Sequence, residues 1–178
     1  QRIALIDALS ASGLQTIEVG SFVSPRRVPQ MAGTDAVLRG IARAAGTSYP
    51  VLVPNTIGME QAIAAGAEEI ALFLSATESF SQRNINCSIS TSLERAAQVI
   101  GLARNHAIRI RAYVSCALGC PYEGSVSPIA VADLAERLAA MGCYEISLGD
   151  TIGVGTPQQA QDMVRTVAAA VPVDRLAI

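Results

Sequence analysis

Apolar residues in this chain recur with two alternating periods, and that alternation constrains the fold more than any other feature. Short runs with a period of two read as strands: Thr16–Gly20, Tyr49–Pro54, Glu69–Ser75, Arg109–Cys116 and Tyr144–Asp150, with a sixth beginning at Leu176–Ile178. Between them, helical periodicity covers 1–12, 35–45, 58–66, 91–106, 128–141 and 157–170. Stop and start signals support these boundaries. Gly13 ends the first helix, Ser127-Pro128 opens another, and Gly142 closes it. One helix per crossover implies parallel strands joined by right-handed connections. Such a βαβα series folds either as an open doubly wound sheet or as a (β/α)8 barrel.

Two observations favour the barrel. No Gly-x-Gly-x-x-Gly follows the first strand, which argues against a dinucleotide-binding sheet. Polar residues also occupy strand positions that would face a barrel interior. Hydrophobic residues are 51% of the 178 and aromatics only 4%, a balance that suits buried strands covered by helices. No linker or low-complexity stretch interrupts the chain, so residues 1–178 are expected to form one incomplete catalytic domain.

Composition excludes several function classes. The net charge of −2, with no basic block, gives no footprint for nucleic acid. No apolar run approaches the roughly 20 residues that span a bilayer, and no signal peptide precedes Ile3, so no membrane partner is expected. All 13 basic residues are Arg, so no lysine is present to form a Schiff base. The four cysteines, Cys87, Cys116, Cys120 and Cys143, lack zinc-ligand spacing.

In parallel α/β folds, chemistry gathers at the C-terminal ends of the strands. Alternation places Ile17 and Val19 against the helices and turns Glu18 inward. In the same way Ile110, Ala112 and Val114 leave Arg111, Tyr113 and Ser115 on the inner face. A carboxylate and a guanidinium inside a barrel are costly unless paired or used. Glu18 and Arg111 therefore form either a structural ion pair or part of a site for an anionic, oxygen-rich substrate. Asp150 follows Gly149 at a strand exit. Strict alternation turns Asp150 toward the helices; a bulge at Gly149 would re-aim it, or it caps its own turn. Asn55 reads as a turn former, Asn84 and Asn86 as turn residues or helix-entry caps, His106 as a surface residue after a helix, and Cys120 as an exposed, unreactive loop thiol.

Four separated segments carry a closer resemblance. They are Ser21-Phe22-Val23-Ser24-Pro25 with Val28-Pro29-Gln30-Met31, Asn84-Ile85-Asn86-Cys87-Ser88, the run from Tyr113 to Gly124, and the run from Gly142 to Gly155. In this order they resemble 3-hydroxy-3-methylglutaryl-CoA lyases along essentially the whole chain. The resemblance implies a TIM barrel that cleaves an acyl-CoA substrate to acetyl-CoA and acetoacetate. It implies a retro-Claisen step assisted by a divalent cation, Mg²⁺ or Mn²⁺, in leucine breakdown and ketone-body formation. It also implies a homo-oligomer at full length, in the bacterial cytoplasm or the mitochondrial matrix. By matching position, Glu18, Arg111 and Asp150 would be catalytic. Tyr113, Ser147 and Thr151 would surround the acyl group, and Phe22 and Asn84 would lie near the CoA arm.

The resemblance also carries departures. The family's metal ligands, an Asp on its first strand, a His-x-His pair and a later Asn, have no counterpart here, so no metal ligand is expected in this chain. The family's catalytic cysteine is also unmatched, and Cys120 is not that residue. By this reading the chain holds strands two to six and the start of strand seven, and would be inactive by itself. The alternatives are a related Claisen-type synthase or aldolase, or a non-catalytic half-barrel module.

Overall fold

A computed structural model describes residues 1–178. In chain order the helices are α1 (Arg2–Ala11), α2 (Thr34–Gly40), α3 (Thr56–Ala64), α4 (Glu78–Ile85), α5 (Ile89–Asn105), α6 (Pro128–Ala140) and α7 (Pro157–Val167). The strands are β1 (Gly20–Ser21), β2 (Val51–Leu52), β3 (Glu69–Ser75), β4 (Arg109–Ser115), β5 (Glu145–Leu148) and β6 (Leu176–Ala177). All pairs are parallel, and the sheet order is β1-β2-β3-β4-β5-β6. This order decides the architecture. A doubly wound sheet reverses direction at a switch point, whereas here each strand pairs with the next in sequence. The fold is α/β, an incomplete (β/α)8 barrel.

The strands form where branched apolar residues alternate with polar ones. In β4, Ile110, Ala112 and Val114 are buried against the helices, while Arg111, Tyr113 and Ser115 are half-buried on the other face. β5 repeats the pattern, with Ile146 and Leu148 buried and Glu145 and Ser147 half-buried. Each fully buried aliphatic side chain here stabilises the fold by roughly 1.5–3 kcal/mol. From the helix side, α5 contributes Leu93, Ala96, Ile100 and Ala103, spaced three or four apart along one buried stripe. These residues belong to one core cluster of 39 buried side chains.

Local chemistry sets the helix starts. Asn55 accepts from the Gly58 N–H at 3.0 Å and caps α3. Ser88 does the same for α5, through the Thr91 N–H at 3.1 Å. Thr156 and Gln159 form a reciprocal capping box on α7. Gly142, at φ 97°, ends the α6 region in a backbone conformation that a side chain would strain.

Several expected boundaries change. The helix expected to reach residue 45 stops at Gly40. Helix α4 was not legible, because Glu78-Ser79-Phe80-Ser81-Gln82-Arg83 has no apolar period. The first strand is short by formal pairing, yet the Ile17 and Val19 N–H groups donate to Ser48 and Pro50 carbonyls at 3.0 Å each. Glu18 is thereby held in extended backbone beside β2. No helix is long and apolar enough to cross a membrane.

Candidate active site

Three strands bring polar side chains to the inner face. Arg111, Tyr113, Glu145 and Ser147 lie side by side there because β4 and β5 pair Arg111 with Glu145 and Tyr113 with Ser147. Glu18 reaches them from the first strand: the Tyr113 hydroxyl donates to Glu18 Oε2 at 3.0 Å. Together Glu18 and Tyr113 contribute to the wall of a cavity of about 750 Å³ at the C-terminal side of the first four strands. Asn84 on α4 lines the same cavity, as do Asn55 and Ser115, and Arg27 and Arg95 border it.

The electrostatics of this face follow from burial and partner choice. Glu18 is exposed on the inner face, but its carboxyl sits among enough protein that lost hydration raises its pKa. The Tyr113 hydrogen bond and the Arg111 charge oppose that rise without cancelling it. Burial and the adjacent Glu18 push Tyr113 up to about 12, so its hydroxyl stays protonated and donates. Glu18 does not pair with Arg111 in an ion pair. Arg111 Nη2 instead donates to Glu145 Oε1 at 2.5 Å, and the guanidinium carbon lies 5.0 Å from the Tyr113 ring centroid. The structural Glu18–Arg111 pair is therefore replaced by two pairs, Glu18–Tyr113 and Arg111–Glu145. Sequence reasoning did not single out Glu145, although it shares the inward parity of Ser147.

Asp150 does not join this group. Its Oδ1 accepts from the Val154 N–H at 3.1 Å and its Oδ2 from the Gly155 N–H at 2.8 Å. It caps its own loop, and Gly149 does not re-aim it toward Arg111. Gly155 permits this, because a Cβ there would lie 3.0 Å from Asp150 Oδ2 and 2.4 Å from Leu118. Thr151 acts on the same loop: its Oγ1 accepts from the Cys116 N–H at 2.7 Å and fastens the β5 exit to the β4 exit. Cys116 holds φ 62° there, a backbone conformation uncommon for a residue other than glycine.

The remaining candidates divide. Phe22 is buried in the core and borders a smaller neighbouring cavity, not the main one. Ser147 lies beside Tyr113 on the inner face. Asn86 is the left-handed C-cap of α4, at φ 52°. His106 is the exposed C-cap of α5. Cys120 is a correction, because it is 3% exposed and not an open loop thiol. Its backbone pairs with Gly124, and its sulfur accepts from Thr77 Oγ1 at 3.2 Å. Burial alone would raise its pKa, but hydrogen bonds from Thr77, from the loop backbone and from Cys116 outweigh that and lower it.

No three His, Cys, Asp or Glu side chains converge closely enough to hold a metal ion.

The profile of the HMGL-like family matches residues 1–178. The chain belongs to the HMGL-like family. A rat relative named "Hydroxymethylglutaryl-CoA lyase, mitochondrial" is 56% identical over 177 residues, which cover 99% of this chain and 54% of that protein. The crystal structure of hydroxymethylglutaryl-CoA lyase from Pseudomonas aeruginosa superposes with a TM-score of 0.96 at 55% identity, over 98% of this chain and 58% of that one. An HMG-CoA lyase structure named for Acenitobacter baumannii, in complex with coenzyme A and 3-methylmalate, gives a TM-score of 0.93 at 31% identity, over 98% of this chain and 57% of that one. The chain thus spans between half and three-fifths of the length of these HMGL-like relatives.

Proposed function

We propose that this chain supplies the acyl-binding wall of a hydroxymethylglutaryl-CoA lyase, in a single partial barrel domain of residues 1–178. The observation that carries the proposal is the Glu18–Tyr113 hydrogen bond in the cavity wall, with the Arg111 guanidinium carbon over the Tyr113 ring. The reaction is retro-Claisen. The 3-hydroxyl gives up its proton, the adjacent C–C bond breaks, and acetoacetate leaves. The electron pair remains on the thioester enolate, which takes up a proton to become acetyl-CoA. Such a step needs a group that can accept and return a proton and a cation facing the developing negative charge. Glu18, with its raised pKa and its Tyr113 donor, fits the first role, and Arg111 fits the second. Asp150 is assigned near the reacting carbons from the family resemblance alone. Ser147 and Thr151 are placed around the acyl group, and Asn84 and Phe22 near the CoA arm, on the same basis.

The divalent cation implied by the resemblance, Mg²⁺ or Mn²⁺, has no ligand set among these residues. When bound, such a cation supplies Lewis-acid polarisation of the substrate oxygens. The compartment proposed is the cytoplasm of a bacterium or the mitochondrial matrix, the latter matching the rat relative's name.

The test is an assay of the complete polypeptide that carries these residues. Incubation with 3-hydroxy-3-methylglutaryl-CoA and a divalent cation should release acetoacetate and acetyl-CoA in equal amounts. Failure to cleave, together with condensation of acetyl-CoA with a 2-oxo acid, would replace the lyase by the Claisen-type synthase. A smaller effect is expected at Cys120. Cys120→Ser keeps a buried group that can accept from Thr77, so turnover should stay within about tenfold, or about 1.4 kcal/mol in barrier. A loss of several orders of magnitude, with the thermal melt unchanged, would make this thiol catalytic.

A further inference from the structure

We infer that Glu145 is a positioning residue, which fixes the Arg111 guanidinium so that its remaining donors serve the substrate. The inference rests on reading the inner face as the acyl-substrate site.

Arg111 and Glu145 stand at the same level of adjacent parallel strands, both on the inner face. Their side chains are 14% and 30% exposed, and Nη2 donates to Oε1 at 2.5 Å. At that burial the pair is costly to desolvate, and a pair kept for stability alone could be replaced by apolar residues at little loss. Its geometry does something an apolar pair would not. A guanidinium is planar, so one tethered nitrogen and a ring held against its carbon restrict where its other N–H groups lie. Glu145 supplies the tether, and the guanidinium carbon sits over the Tyr113 ring, 5.0 Å from its centroid.

Two further observations support this. Arg111 Nε is buried without any hydrogen-bond partner in the protein. A buried donor left unpaired is expensive, and here a bound carboxylate or enolate oxygen would satisfy it. Glu145 also holds the guanidinium that would otherwise be free to pair with Glu18. Direct pairing would lower the Glu18 pKa and weaken its hold on a proton. With Arg111 taken by Glu145, Glu18 keeps Tyr113 as its hydrogen-bond partner.

The test is a double-variant cycle in the complete polypeptide, run once cleavage of 3-hydroxy-3-methylglutaryl-CoA by the parent has been measured. Failure of that first assay would overturn the functional reading and this inference with it, whereas the outcomes of the cycle below bear on Glu145 alone. Glu145→Gln keeps the side-chain volume but loses the charge, and should lower kcat/KM about tenfold or more. Arg111→Gln should lower it further. In the Glu145→Gln background, however, Arg111→Gln should cost less than a fifth of what it costs in the parent, because the two side chains act as one unit. Glu145→Asp, which keeps the charge, should restore part of the loss. If Glu145→Gln fails to fold, Glu145→Asp takes its place in the cycle, with the same sign of coupling expected. Multiplicative losses, or a Glu145→Gln enzyme within twofold of the parent, would reduce Glu145 to a structural partner.

Discussion

Glu18→Gln is expected to give a protein that is nearly inactive and more stable than its parent at neutral pH. Turnover should fall by about 10²–10⁴-fold, the range that a positioned proton-transfer group contributes. Stability should move the other way, and the sign follows from proton binding. The folded state raises the Glu18 pKa above its ordinary value of 4.5, mainly through burial, so it binds the proton more tightly than the unfolded chain does. Well below pH 4.5 both states are protonated and Glu18 brings no penalty. As pH rises from there through the folded pKa, the unfolded chain ionises first and parent stability falls. Gln does not titrate, so the gap between variant and parent should open across that window and stay constant above it. The gap should be modest, because Glu18 remains partly open to solvent. Urea titrations at pH 4 and pH 8, with turnover measured in the complete polypeptide, check both parts. Equal stability gains at the two pH values, or turnover within tenfold of the parent, would remove Glu18 from the proton-transfer role.

Tyr144→Phe should be among the most destabilising single-atom changes available in this chain. Glu69, at the start of β3, is 2% exposed, and its carboxylate makes one hydrogen bond, to the Tyr144 hydroxyl at 2.5 Å. Its other oxygen, Oε2, is buried without a hydrogen bond and has only Arg109 nearby, at 3.5 Å. Arg109 in turn lies over the Tyr144 ring, 4.1 Å from the centroid. Removing the hydroxyl leaves a buried carboxylate with only a distant, largely exposed cation for company. The cost should be roughly 3 kcal/mol, because the charge loses its hydrogen bond and cannot recover hydration. Tyr122→Phe is the control, since that ring is 48% exposed and should change stability by less than about 0.5 kcal/mol. The two variants are compared by urea denaturation at one pH. A Tyr144→Phe loss no larger than that of Tyr122→Phe would mean that water reaches Glu69. This cluster lies at the N-terminal end of its strands, away from the cavity, where barrel residues serve stability and not chemistry.

The sequence by itself determined the order and type of most elements through local periodicity, though not all their ends: the helix read over 35–45 stops at Gly40. Parallel strands with helical crossovers followed from the alternation of periods. The inward set Glu18, Arg111, Tyr113 and Ser115 followed from the fact that successive Cβ atoms leave a strand on opposite faces. Helix ends such as Ser127-Pro128 and Gly142 were legible because these signals act between near neighbours, whereas Asn55 read as a turn former and caps α3. What only the tertiary structure decided was which inward groups meet. The Arg111 partner depends on the β4–β5 register, which sets Glu145 level with it, and no local pattern encodes that register. Glu18 and Tyr113 are 95 residues apart and meet only because the sheet curves. The Asp150 direction depended on whether Val154 and Gly155 return close enough to offer their N–H groups. Cys120 seemed a loop thiol because a Gly-Cys-Pro-Tyr turn reads as surface, yet Thr77, 43 residues earlier, closes over it. Side-chain direction along one strand is a property of covalent geometry. Pairing across strands is a property of register, curvature and loop closure, which only the assembled sheet supplies.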